Sequence, residues 1–308
     1  KPCLAAAAMA ALAACASVVN PATGERQYTV LSPGEEVELG KSEHPKVTAQ
    51  YGGAYDSRAL QSYVTGIGNR LAKVSELPDL KFTFTVLDSD IVNAFALPGG
   101  YVYVSRGLLA LADNEAEVAG VLAHEIGHVT ARHTAQRDTR EKVAGGLTTI
   151  LGVGLSVVLG ADFGRMAGQG GELLSQGLLA GYSREQEFQA DELGVRYLAR
   201  AGYDPQAMST FLDALGQNDQ LQRRLRGKGE TESAASSWFA SHPRTPDRVA
   251  RAASEAEGNI ATGNRLGQDT YLAAIDGLLY GDNPAQGIVD GRSFIHPDLG
   301  LRFTAPQG

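Results

Sequence analysis

The stretch VLAHEIGHVTARH, residues 121–133, decides how the rest of the chain is read. Two histidines stand four apart around a glutamate in a run that otherwise reads as buried helix. Residues four apart lie one turn above the other on a helix, so His124 and His128 present their imidazoles to one point from the same face. Glu125, beside them, is a candidate base for a water held at that point. The competing reading is a core helix that happens to contain polar residues, and the spacing alone does not separate the two. A catalytic zinc needs a third protein ligand and one position left open, so the rest of the sequence must supply a partner.

The segment GYSREQEFQADELGVRYLAR, residues 181–200, offers one. Glu187, Asp191, Val195 and Leu198 fall at i, i+4, i+8 and i+11, and Phe188 joins the same apolar stripe. Two carboxylates thus share the face that should be buried. An unpaired buried carboxylate is costly, so these two need partners, and a metal with its histidine ligand would serve. Either could be the third ligand, with Glu187 preferred. Glu185, Glu192 and Arg196 lie toward the opposite, solvated face.

Working outward, the spacing of Leu60, Val64, Ile67 and Leu71 predicts an amphipathic helix over 56–73. The alternation of Phe82, Phe84 and Val86 predicts a strand over 81–88, and 91–105 reads as two short strands around Pro98-Gly99-Gly100. From Asp113, read as the N-cap, a helix is expected to run through HEIGH to about Arg140, with further helices over 183–200 and after Pro205. The fold class is therefore α+β, mainly helical, with a small antiparallel or mixed sheet beside the HEIGH helix.

The chain has 308 residues and a net charge of −8, with Lys and Arg scattered, so nothing in it resembles a phosphate-neutralising stripe. Nucleic acid is not an expected partner. The opening KPCLAAAAMAALAACAS reads as an export signal, with residues 1–14 as the signal peptide. Leu12-Ala13-Ala14-Cys15 resembles the bacterial lipoprotein signal, which predicts lipidation of Cys15 and, with Ala16 following, anchorage to the outer membrane from the periplasm. Residues 15–45 would then be a lipidated cysteine and tether, 46–260 the globular domain, and 261–308 a C-terminal extension, the start of a further domain. The uncharged run between Lys142 and Asp162 is almost long enough to span a bilayer. A single crossing there would separate HEIGH from its partners, so it is read as a buried or membrane-touching helix pair.

HEIGH followed by EFQAD in a second helix resembles the membrane-associated zinc endopeptidase family that includes the HtpX and CAAX prenyl proteases, and most of all its soluble lipoprotein and periplasmic bacterial members. The resemblance covers about residues 40–255. It implies a gluzincin-like domain with one Zn2+ held by His124, His128 and Glu187, and with Asp191 supporting a ligand from behind. It also implies that Asn93 and Ala94, in NAFALPGG, pair with an extended peptide through main-chain hydrogen bonds. SHPRTPDR, 241–248, resembles a loop whose histidine approaches the metal and whose arginine contributes to the active site, giving His242 and Arg248.

The expected reaction is peptide hydrolysis by an activated water, with Glu125 as proton acceptor. The export signal and the resemblance together imply unfolded or misassembled envelope proteins as substrates. A His242 that also bound zinc would close the site and leave the resting enzyme latent. The competing reading from another class is a lipid-anchored chaperone or binding module that uses strand 91–97 to hold unfolded chains. His44, His133 and His296 show no ligand spacing and are assigned no role.

Overall fold

A computed structural model describes residues 16–141, 181–226, 238–243, 246–259 and 263–306. The expected signal peptide with Cys15 and the apolar run 143–161 lie outside these residues. Among the described residues no helix is long and apolar enough to cross a membrane.

The segment expected to be an irregular tether is ordered. It forms an antiparallel pair, β1 (Ala16–Val19) and β2 (Arg26–Thr29), and leads into helix α1 (Pro33–Gln50). A capping box starts that helix: the Ser32 side chain accepts from the Glu35 N–H while the Glu35 carboxylate accepts from the Ser32 N–H. Polar composition there suggested a tether because these caps and the one buried stripe of α1 carry little periodic signal.

Helix α2 (Arg58–Ala72) buries Leu60, Val64, Ile67 and Leu71, the four positions its period marked. Each fully buried aliphatic side chain contributes about 1.5–3 kcal/mol. They pack under a mixed three-stranded sheet of β3 (Thr83–Leu87), β5 (Tyr101–Ser105) and β4 (Ala94–Leu97), in that spatial order. β3 runs parallel to β5, and β4 pairs antiparallel with it across the expected Pro98-Gly99-Gly100 turn. Gly99 and Gly100 have φ of 78° and 89°, conformations closed to most side chains. β4 is an edge strand of this sheet.

After α3 (Arg106–Leu111), the HEIGH helix α4 spans Glu115–Thr130. Its N-cap is Asn114 rather than the expected Asp113: the Asn114 side chain accepts from the Glu117 N–H at 3.0 Å, while the Asp113 N–H donates to the Glu117 carboxylate at 2.9 Å. The helix also does not run unbroken to Arg140. It ends at Thr130, Arg132 adopts a φ of 57°, and a further helical stretch covers 133–141.

Helix α5 (Arg184–Arg200) lies against α4. Glycines on both helices allow the close approach. A Cβ at Gly127 would sit 3.2 Å from the Ala190 carbonyl oxygen, and one at Gly194 would sit 3.2 Å from the His124 amide nitrogen. The stripe read on α5 is buried at Glu187, Asp191, Val195 and Leu198, whereas Phe188 is only half-buried, with the Arg251 guanidinium 4.1 Å above its ring. Helices α6 (Ala207–Arg226), α7 (Trp238–Ser241) and α8 (Pro246–Gly258) follow.

The C-terminal segment contains α9 (Gln268–Ile275) and an antiparallel sheet of β6 (Ile288–Asp290), β7 (Ser293–His296) and β8 (Leu301–Thr304). Part of it belongs to the main core, since Tyr271 is fully buried there and Arg106 donates to the Leu279 carbonyl at 2.9 Å.

Candidate metal centre

Because α4 and α5 approach so closely, side chains from consecutive turns of both face one another. His124 and His128 from α4, Glu187 from α5 and His242, just after α7, are all buried, and one ligand atom from each lies within 4.8 Å of all the others. His124 Nε2 is 3.0 Å from His128 Nε2 and 3.2 Å from His242 Nδ1. Glu187 Oε1 is 3.4 Å from His128 Nε2 and 3.1 Å from His242 Nδ1. The two motifs separated by more than fifty residues of sequence are thus one cluster, and His242 joins it.

The polar groups behind the cluster hold it in place. Asp191 Oδ1 lies 2.9 Å from His124 Nδ1. Arg248 donates to both Asp191 oxygens at 2.7 Å and sits 2.7 Å from Glu187 Oε2. Burial works against the charged form of Glu187, but the charges of His242 and Arg248, with a hydrogen bond from His242, outweigh it and hold the carboxyl well below the usual carboxylate range. Burial likewise opposes ionisation of Asp191, and Arg248 overcomes it. Burial pushes the His128 pKa well below its ordinary value, which keeps the ring neutral, the form that binds metals.

The donor set fits a metal ion. An ionised Asp191 only accepts hydrogen bonds, so His124 Nδ1 carries the proton and Nε2 turns a lone pair toward the centre. Three imidazole nitrogens and a carboxylate oxygen converge there, donors of the kind that hold a divalent metal. Glu125 stands at the rim: it is fully buried, neither of its oxygens accepts a hydrogen bond among the described residues, and Oε1 lies 3.3 Å from His242 Nε2. Burial pushes its carboxyl pKa up.

Asn93 and Ala94 sit at the start of β4. Contrary to expectation, the main chain of Asn93 is engaged inside the sheet: its N–H donates to Ser105 Oγ at 3.1 Å and its carbonyl accepts from the Ser105 N–H at 3.0 Å. Main-chain groups alternate in direction along an antiparallel strand, so those of Ala94 and Ala96 point to the open edge. Asn93 has its buried side-chain Oδ1 without a partner among the described residues. A cavity of about 240 Å³ opens at the far end of β4, lined by Ala96, Leu97, Leu77, Leu80, Val18 and His128.

Sequence reading missed several neighbours. Tyr182 stacks on His128 with centroids 3.8 Å apart, and Trp238 stacks on His242 at 4.6 Å and 16°. His133 is buried, with Nδ1 2.8 Å from His128 Nδ1. Burial lowers its pKa to about 4, so it is neutral near pH 7. Tyr182 and Trp238 adjoin the motifs, but no spacing marked them, because both reach the cluster only through the packing of α5 and α7. His44 hydrogen-bonds Tyr103 at 2.7 Å, away from the cluster.

The β-barrel assembly-enhancing protease of Escherichia coli (strain K12) is 30% identical over 258 residues, 82% of this chain and 50% of that protein. That of Yersinia pestis is 34% identical over 198 residues, 63% of this chain and 40% of its own. The mitochondrial metalloendopeptidase OMA1 of Schizosaccharomyces pombe is 33% identical over 202 residues, 63% of this chain and 56% of its own. The chain spans about half the length of the curated relatives it matches. The pattern that defines peptidase family M48 matches residues 58–256, a span that holds the whole cluster from His124 to Arg248. The chain belongs to peptidase family M48.

Proposed function

We propose that this chain is a zinc-dependent endopeptidase of the bacterial cell envelope that hydrolyses peptide bonds in unfolded or misassembled periplasmic and outer-membrane proteins. The observation that carries the reading is the convergence of His124, His128, Glu187 and His242 with the buried Glu125 at their edge, its oxygens free of hydrogen bonds among the described residues. Zinc bound there would act as a Lewis acid on the scissile carbonyl and acidify a water. His124, His128 and Glu187 would hold the ion. Glu125 takes the proton from the water and passes it to the leaving nitrogen. Arg248 and Asp191 fix the ligands.

The substrate runs along the open edge of β4, bonded to the main chain of Ala94 and Ala96, with the Asn93 side chain as a further polar contact. An apolar substrate side chain fits the cavity at the strand's far end. The Leu12-Ala13-Ala14-Cys15 signal supports lipid anchorage to the outer membrane from the periplasm, and the name of the Escherichia coli relative favours that setting over the mitochondrial one of OMA1.

His242 supports a refinement of the same reading. Its Nδ1 lies 3.1 Å from Glu187 and 3.2 Å from His124, so beside a bound ion it would occupy the position left for water and would have to move aside for turnover.

The test is cleavage of an unfolded protein by the zinc-loaded chain beside Glu125→Gln, which keeps shape and metal but removes the base. Cleavage by the first and not the second supports the reading. Equal cleavage by both, or a chain that takes up no zinc, overturns it. If the wild type binds zinc without cleaving while His242→Ala cleaves, the site is a latent peptidase.

A further inference from the structure

Resting on the metal-centre reading, we propose that His133 and Gln189, aimed by the bend at Arg132, are positioning residues that fix which nitrogen of His128 is offered to the metal.

The bend comes first. Had α4 continued, His133 would lie five residues beyond His128 and about 140° around the helix, facing away. Arg132 prevents that. It is the one non-glycine with positive φ among the described residues, a conformation that costs on the order of 1 kcal/mol for a side chain like arginine. The cost is offset from outside the helix. Arg132 is buried, donates from Nε to the Glu36 carboxylate at 2.8 Å and donates from Nη2 to the Leu31 carbonyl at 2.9 Å. The segment leading into α1 therefore holds the bend that swings His133 back onto His128.

With the Gln189 carbonyl oxygen turned toward His133, the hydrogen-bond chain has one consistent arrangement. His133 Nε2 lies 2.8 Å from Gln189 Oε1, a carbonyl oxygen that can only accept. His133 Nε2 must therefore carry the proton, and in a neutral ring Nδ1 is then an acceptor. Facing it at 2.8 Å, His128 Nδ1 must be the donor. That leaves His128 Nε2 with its lone pair directed at His124 Nε2 and Glu187. The opposite arrangement would set two lone pairs against each other at Gln189 and point a proton into the centre. Gln189 thus fixes the state of His133, and His133 that of His128, as Asp191 does for His124. Such outer hydrogen bonds typically change metal affinity 10–100-fold when lost.

The test compares zinc affinity, by competition with a chromophoric chelator, in the full chain and four variants. Folding is followed by circular dichroism, and the His128 tautomer by 15N NMR of labelled histidine. His133→Leu and Gln189→Leu break the chain of bonds; His133→Asn and Gln189→Glu keep an acceptor in each place. The expected result is a loss of about 10–100-fold in affinity for the two leucine variants, wild-type affinity for the two conservative ones, and a His128 protonated at Nδ1 in the wild type. Unchanged affinity in the leucine variants overturns the proposal, as does an equal loss in all four, which would make these residues packing only. Should His133→Leu not fold, the Gln189 pair decides, since that side chain is only half-buried. A wild-type chain that binds no zinc fails the metal-centre reading itself, and is distinguishable from a chain that binds zinc indifferently to His133.

Discussion

Replacing Arg248 by methionine in the metal-free chain tests whether the carboxylates behind the cluster depend on one cation. Arg248 is 2% exposed, makes two 2.7 Å hydrogen bonds to Asp191 and lies 2.7 Å from Glu187. Hydrogen bonds to charged groups contribute about 1.5–3 kcal/mol each, so the two to Asp191 are together worth about 3–6 kcal/mol. Removing one partner of a buried ion pair costs about 3–5 kcal/mol by an independent route, because the other charge stays buried and unpaired. For a domain of this size each kcal/mol moves Tm by about 2–4 °C, so Arg248→Met should lower Tm by about 10 °C, measured by circular dichroism in chelator. The triple variant Arg248→Met, Glu187→Gln, Asp191→Asn removes the stranded charges and should recover more than half of the loss. A single variant that loses less than about 1 kcal/mol, or a triple variant no more stable than the single one, would refute the reasoning.

Two further outcomes are expected. Burial alone would raise the pKa of Glu115, but hydrogen bonds from Tyr63 and Tyr203 and the charges of Arg70 and Arg265 outweigh it and hold the carboxyl below its ordinary value. With the folded pKa below the unfolded one, this stabilisation is full above about pH 5 and is lost as pH falls through the folded pKa. Glu115→Gln should therefore be less stable than wild type at pH 7, and denaturant midpoints measured at falling pH should converge; a constant difference would sink the argument. Gly194→Val places branched carbons against the His124 backbone, where even a Cβ sits at 3.2 Å, so it should destabilise by about 1–3 kcal/mol and weaken zinc binding. Wild-type affinity in that variant would show that α4 and α5 need not stay so close.

The sequence by itself determined helix α2, the strands β3 to β5 and the pair of motif helices. The period of Leu60, Val64, Ile67 and Leu71 and the alternation through Phe84 and Val86 carry local burial patterns that survive in the fold. His124, His128 and Glu187 were legible as candidates because one helical turn separates each from its motif partner, a relation that needs no knowledge of the rest of the chain. Family likeness, not spacing, marked His242 and Arg248. What only the tertiary structure decided is the environment of those groups. His133 looked idle because its position was projected along a straight helix, whereas the bend at Arg132 is held by Glu36 and Leu31, about a hundred residues earlier in the chain. Asn93 was credited with main-chain bonds that Ser105 takes, because the pairing register of β4 on β5 fixes the direction of each N–H and no single strand encodes it. Helical and strand periods are local properties; which atoms face a ligand depends on contacts between segments far apart in sequence, and those exist only once the chain has packed.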